Sequence, residues 1–184
     1  MSRAALDGLV ATFPQHILET TDRLGDEVAI VAPAGLLEIA TWLRDTPALA
    51  FNMLSDVTAV DYLARNPRFE VVYQLYSVSK KHRLRLRVPV GAESPSLTSV
   101  TSVWLSANWA EREVWDMYGI RFEGHPDLRR ILMYEEFEGH PLRKDYPMQQ
   151  SQPRMDLRRK ERDAVEEYKT LYVDKLAQAR KAEP

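Results

Sequence analysis

The chain has 184 residues, 45% hydrophobic and 28% charged, with a formal net charge of −2 and no cysteine. This is the composition of a globular domain large enough to close its own core. It excludes disulfides, a thiol nucleophile and a cysteine-ligated iron–sulfur cluster.

The seven glycines form neither a GxGxxG pattern nor a phosphate-cradling loop, so a standard nucleotide site is not expected. No apolar run approaches the ~20 residues of a membrane span. The opening stretch, MSRAALDGLVATFPQHILETTD, carries acids and has no signal-type apolar core, which predicts cytosolic exposure. Charge is blocked along the chain. Residues 1–66 and 91–142 are net acidic, while 67–90 and 143–184 are net basic, so both signs are available to neighbours.

Ser2 caps a predicted first helix, apolar at Leu6, Leu9, Val10 and Phe13 and ending before Pro14. EVAIVA (27–32) is a short buried strand. Pro33 opens a second helix with Leu36, Leu37, Ile39, Ala40 and Leu43 on its apolar side. AFNMLSDVTAVDYL (50–63) reads as a strand with a turn or bulge. FEVVYQLYSVS (69–79) and HRLRLRVPV (82–90) pair as a hairpin around Lys80 and Lys81. In the second run Leu84, Leu86 and Val88 alternate with Arg83, Arg85 and Arg87, which puts the arginines on the opposite face. Their replacement by glutamate is therefore expected to leave the domain folded.

SPSLTSVTSVWLSA predicts a loop and a short helix near 96–104. Asn108 then caps the helix WAEREVWDMY (109–118), and Gly119 stops it. From Gly119 to about Pro153 periodicity fails. This stretch holds four of the eleven prolines and three of the seven glycines, with one predicted helical turn at 127–133. Irregular chain of this length is characteristic of a binding element. The tail at 155–181 has helix-forming composition with a weak apolar stripe that needs a partner surface. The expected fold is α+β: a domain at 1–118 with helices on one face of a largely antiparallel sheet, then a long irregular extension rich in proline and arginine, with a C-terminal tail, at 119–184.

The tetrapeptide EGHP occurs twice, at 123–126 and 138–141. A metal site needs further ligands at fixed positions, and neither histidine has a helical partner at HxxxH or ExxH spacing. His125 and His140 are therefore read as loop histidines bonded to nearby backbone. In EREVWD (111–116), helical spacing places Glu113 and Asp116 on one face and lets Arg112 reach Asp116. We read this as an ion-pair network that fixes the helix against the following loop, with Arg129, Arg130, Arg143 and Lys144 as partners, and not as acid–base machinery. The stripe Arg83, Arg85 and Arg87 lacks the aromatic and glycine context of a nucleic-acid site; it reads as a solvated face or a docking face for an acidic partner. Trp104, Trp109 and Trp115 read as core or interface anchors.

The run at 107–147 resembles the 30-kDa subunit family of respiratory complex I, whose bacterial members are the C-type subunits of the proton-pumping NADH–quinone oxidoreductase. The resemblance rests on Glu111, Arg112 and Glu113, then Asp116 with Met117 and Tyr118, then His125 and Arg130, Ile131 and Leu132. It continues in GHPLRKDYP: Gly139, His140, Pro141, Leu142, Arg143, Lys144, Asp145, Tyr146 and Pro147. FNMLSDVTAVDY (51–62) is also similar to a sheet strand of that family. The resemblance implies a chain with no cofactor of its own, with flavin, iron–sulfur clusters, NADH and quinone held by partner subunits. It implies a place in the peripheral arm on the cytoplasmic side of the inner membrane. There the chain would pack on the hydrogenase-related subunit of the quinone site and touch the membrane only through the complex. On that reading Arg129 and the signature residues build an interface, with no catalytic or metal ligand among them. Two rival readings are the equivalent subunit of a related membrane-bound hydrogenase or other-donor dehydrogenase, and a metal-dependent hydrolase using His125, His140 and nearby acids.

Overall fold

The computed structural model describes residues 4–153. The capping role of Ser2 and the helix expected at 155–181 lie outside them. Among the described residues three α-helices, α1 (Ala4–Thr12), α2 (Leu36–Asp45) and α3 (Ala107–Tyr118), accompany seven strands. The strands are β1 (Ile17–Arg23), β2 (Asp26–Val31), β3 (Met53–Asp61), β4 (Phe69–Ser77), β5 (His82–Val90), β6 (Ser96–Thr98) and β7 (Arg121–Glu123).

The main sheet has the order β1-β2-β5-β4-β3. All its neighbours are antiparallel except β2 and β5, which run parallel. The fold is thus α+β on a largely antiparallel sheet. β4 is its hydrophobic centre, with Phe69, Val71, Tyr73 and Leu75 buried against Leu84, Leu86 and Val88 of β5. In α2, Leu36, Ile39, Ala40 and Leu43 recur at i, i+3, i+4 and i+7 and are all fully buried. Each large side chain of this stripe contributes roughly 2–3 kcal/mol by leaving water. The strand expected at 50–63 is β3, with its register shift between Leu54 and Asp56.

Three elements depart from expectation. The strand β1 is exposed along nearly its whole length and has no apolar alternation to reveal it. It forms because Leu24 and Gly25, at φ 58° and 85°, turn the chain back onto β2. The helix expected near 96–104 is replaced by β6, a turn and an extended stretch; β6 pairs in parallel with β7. Three-residue strands carry too few positions for periodicity to register. The helical turn expected at 127–133 is absent, because a buried carboxylate takes up its amides, as described below.

The arginine stripe does alternate away from the core, but it is not free. Arg87 forms a two-pronged pair with Glu70, whose side chain is only 6% exposed, and also reaches the Tyr62 hydroxyl. Arg85 bonds Gln74 at 3.2 Å and lies 3.6 Å from Asp26. Arg87 thus compensates a buried acid, so the three arginines are not equivalent.

Candidate interaction site

Residues Met1–Gln150 gather into one compact unit, so the stretch after Gly119 packs with the strands and helices before it. The helix α3 is the beam of this site. Ser106, not Asn108, occupies its N-cap position, and the Ser106 hydroxyl donates to the Leu54 carbonyl at 3.1 Å. Just before the helix, the buried Trp104 indole donates to the Phe51 carbonyl at 3.0 Å. At the other end Gly119 takes φ 73° and its amide donates to the Trp115 carbonyl at 2.8 Å. A Cβ at Gly119 would lie 2.5 Å from the His140 ring and 2.8 Å from the Arg143 guanidinium, so both the backbone and the packing require glycine.

The two EGHP loops hold opposite ends of α3. The Asp127 amide donates to His125 Nδ1 at 3.0 Å, which leaves the proton on Nε2; Nε2 then donates to the Asn108 carbonyl at 3.0 Å. His140 donates through Nδ1 to the Asp116 carbonyl at 2.9 Å in the last turn. Burial lowers the pKa of His140, and Arg143 and Arg130 add to the effect against the pull of that carbonyl. Its imidazole is therefore held neutral. With both ring nitrogens of His125 engaged and no grouping of three His, Asp or Glu among the described residues, the hydrolase reading has no ligand set in this structure.

Asp116 is fully buried and is the hub of the loop. One carboxylate oxygen accepts the amides of Ile131, Leu132 and Met133 at 3.1, 2.9 and 2.9 Å, and the other accepts Arg130 Nη1 at 2.6 Å. Burial by itself would raise the Asp116 pKa. The amides of Met133 and Leu132, the Arg130 guanidinium and the Ile131 amide outweigh it and hold the group below the usual carboxylate range. The other amino group of Arg130 donates to the Phe137 and Gly139 carbonyls at 2.9 and 3.1 Å. A single ion pair thus gathers residues 130–139 around the end of α3.

The expected Arg112–Asp116 pair does not form. Arg112 donates to the Arg129 and Arg130 carbonyls at 3.0 and 3.2 Å, satisfying acceptors that the irregular loop leaves over. Glu113 is exposed while Asp116 is buried, so these two carboxylates do not share a site either. Arg129 lies on the surface in a pair with Asp127.

The second signature run is anchored on the sheet. The Leu142 amide donates to the Met117 carbonyl at 3.1 Å, and Arg143 donates to the Tyr118 carbonyl and lies over the Phe69 ring. Lys144 contributes its backbone amide, which donates to Asp61 at 2.8 Å. Arg68 spans Asp61 and Asp145, at 2.7 Å to each. The Arg68 bonds, followed by the Lys144 and Leu63 amides, outweigh burial and keep Asp61 strongly acidic. Asp61 and Arg68 are site residues that sequence reasoning missed; the only local signal was an acid and an arginine flanking the turn that contains Pro67. Tyr146 stacks on Phe137 beside Pro147, and Gly139, at φ 88°, brings its backbone close to the Tyr146 ring. Pro141 follows His140 in this corner.

Glu111 lies on the inner side of the helix. It is fully buried and accepts the Ser99 hydroxyl at 2.6 Å and the Val100 amide at 2.8 Å. Burial raises its pKa to about 7 against those two bonds. The outer surface is apolar in places: Leu105, Trp109, Leu132 and Leu142 are 88%, 64%, 56% and 49% exposed. Phe122, by contrast, is buried and Leu128 packs on the core.

An α+β scaffold whose densest charges are spent on holding one loop is the class of protein that these contacts define. The sequence profile of the family described as "Respiratory-chain NADH dehydrogenase, 30 Kd subunit" matches residues 29–152. The chain is 49% identical over 143 residues to the C-type subunit of NADH-quinone oxidoreductase from Roseiflexus sp. (strain RS-1), covering 78% of this chain and 82% of that one. It is 55% identical over 118 residues to a C-type subunit of the same enzyme from Rhizobium meliloti (strain 1021), covering 64% of each chain. It therefore spans somewhat less than two thirds of that rhizobial relative. A solved trypsin-resistant fragment (1-134) of Nqo5 is 36% identical, with a TM-score of 0.57, over 67% of this chain and 99% of the fragment. A chain of an archaeal membrane-bound sulfane sulfur reductase shares the fold at 20% identity, with a TM-score of 0.66 over 78% of this chain and 84% of that one. The chain belongs to the 30-kDa subunit family of the respiratory NADH dehydrogenase.

Proposed function

We propose that this chain is a non-redox structural subunit of the peripheral arm of a bacterial NADH–quinone oxidoreductase, on the cytoplasmic side of the inner membrane. It braces the hydrogenase-related subunit that forms part of the quinone site, while flavin, iron–sulfur clusters and both substrates belong to neighbouring subunits. On this reading membrane contact comes through the complex; among the described residues no helix is long and apolar enough to cross a membrane. One observation carries the reading: after the short strand β7, residues 124–147 are irregular, yet they are locked to α3 and the sheet, with Leu132 and Leu142 left half exposed. A loop ordered in advance loses little entropy on docking and offers apolar anchors to a partner.

The test is co-purification from solubilised membranes. The intact chain should bring down the flavin- and NADH-binding subunits and the quinone-site subunit. Trp109→Glu with Leu132→Asp, both on exposed positions, should abolish this while leaving the purified chain folded. The shared fold of the sulfane sulfur reductase chain favours a second reading, the equivalent subunit of a related membrane-bound complex. Co-purification of hydrogenase-type subunits without an NADH-binding one would establish that reading instead.

A further inference from the structure

A second surface lies at the far end of the sheet. The register of β4 with β5 runs from Phe69 opposite Val90 to Ser77 opposite His82. The Asp61–Arg68–Asp145 clamp adjoins the first end, and the nine-residue strand carries the second end ~25 Å away. Because β2 and β5 are parallel, the β1–β2 turn at Leu24 and Gly25 and the β4–β5 turn at Lys80 and Lys81 emerge side by side there.

Between these turns is an open cleft of about 1040 Å³, walled also by Ala48 and Leu49. Glu27 and His82 both line it. Their side chains bond at 2.9 Å, and the His82 ring also packs on Phe51. The Glu27 side chain is 1% exposed, and its second oxygen has no hydrogen-bond donor among the described residues. A buried acceptor of this kind is destabilising unless something donates to it. The rim is basic on balance: Lys80, Lys81 and Arg83 are exposed and outnumber the one exposed acid of the lining, Asp22, and neither lysine has a partner among the described residues. Arg83 lies 5.9 Å over the Tyr76 ring, which forms part of the wall.

We propose that this cleft is a docking site for an acidic segment of a partner polypeptide, whose carboxylates meet Lys80, Lys81 and Arg83 while an N–H or O–H donates to the free oxygen of Glu27. Basic partners are repelled at the rim. Small anions would leave the apolar wall formed by Leu49 and Tyr76 uncovered, which favours a peptide. The site is separate from the loop at 119–147 and does not depend on which complex the chain joins.

The full chain, labelled with 15N, is titrated with a capped octapeptide of alternating glutamate and leucine, and with its lysine counterpart. The acidic peptide alone should bind, with shifts concentrated at 22–28 and 76–83. Lys80→Glu with Lys81→Glu, on an exposed turn, should weaken it about tenfold or more. Glu27→Gln supplies the decisive sign. Simple charge attraction predicts tighter binding when this acid is neutralised; the proposed site predicts binding weaker by about fivefold, because a charged acceptor is lost. No binding at millimolar peptide, equal binding of both peptides, shifts elsewhere, or tighter binding to the Glu27→Gln chain would each overturn the proposal.

Discussion

Arg130 sits against Asp116 at 2.6 Å, with the carboxylate fully buried and the guanidinium nearly so. This pair joins the last turn of α3 to a loop that has no regular structure of its own. Removing one member of such a pair strands the other charge and, here, three amides as well. Asp116→Asn should therefore cost about 3 kcal/mol in urea unfolding. Arg129→Ala, which breaks an exposed pair only two residues from its acid, should leave the unfolding midpoint almost unchanged. Equal costs for the two substitutions would mean that Asp116 is not the hub.

Glu111 predicts a pH dependence. Its folded-state pKa is raised from 4.5 to about 7 by burial, so the folded state holds this proton more tightly than the unfolded one. Its effect on stability is most favourable below pH 4.5, declines as pH rises, and levels off above about 7. The full swing is about 3 kcal/mol. His140, whose pKa is lowered, contributes the opposite slope just below its ordinary value, so the difference between the wild-type chain and Glu111→Gln isolates the carboxyl. Between pH 5 and 8 the wild type should lose stability relative to the variant. A flat difference would show that Glu111 does not titrate there.

The arginine face should respond unequally to charge reversal. Arg83→Glu leaves exposed positions exposed, and its thermal transition should shift little. Arg87→Glu puts a second carboxylate beside the buried Glu70 and should cost roughly 3 kcal/mol, seen as a fall in the midpoint of thermal unfolding. Glu70→Gln should restore part of that loss in the double variant.

Hydrogen exchange distinguishes the loop's anchors from its free surface. In the isolated chain the amides of Ile131, Leu132, Met133, Leu142 and Lys144 should be slow, since each donates to an acceptor on α3 or β3. The amides of the exposed Glu135 and Glu136 should be fast, and assembly should slow them. Uniform protection across 119–147 in both states would place the docking surface elsewhere.

Local pattern was legible wherever a residue answers to its neighbours. The alternation of leucine and arginine in β5, the apolar stripe of α2 and the glycine stop of α3 are set by backbone geometry over a few positions, and the sequence by itself determined them. The resemblance carried by 107–147 was legible for a similar reason, because rare residues stand at close spacing. The tertiary structure alone decided which charge answers which. Asp116 was in helical reach of Arg112, yet it took Arg130 and three amides, because the loop closes over the buried end of the helix and Arg112 is left facing unpaired carbonyls. Asp61 found Arg68 within a turn of chain, but its bond to the Lys144 amide spans 83 residues. The exposed strand β1 and the three-residue pair of β6 and β7 exist only because a turn and a returning loop supply their partners. A hydrogen bond is chosen by the donors and acceptors that packing leaves unpaired, and that remainder is known only once the whole chain is in place.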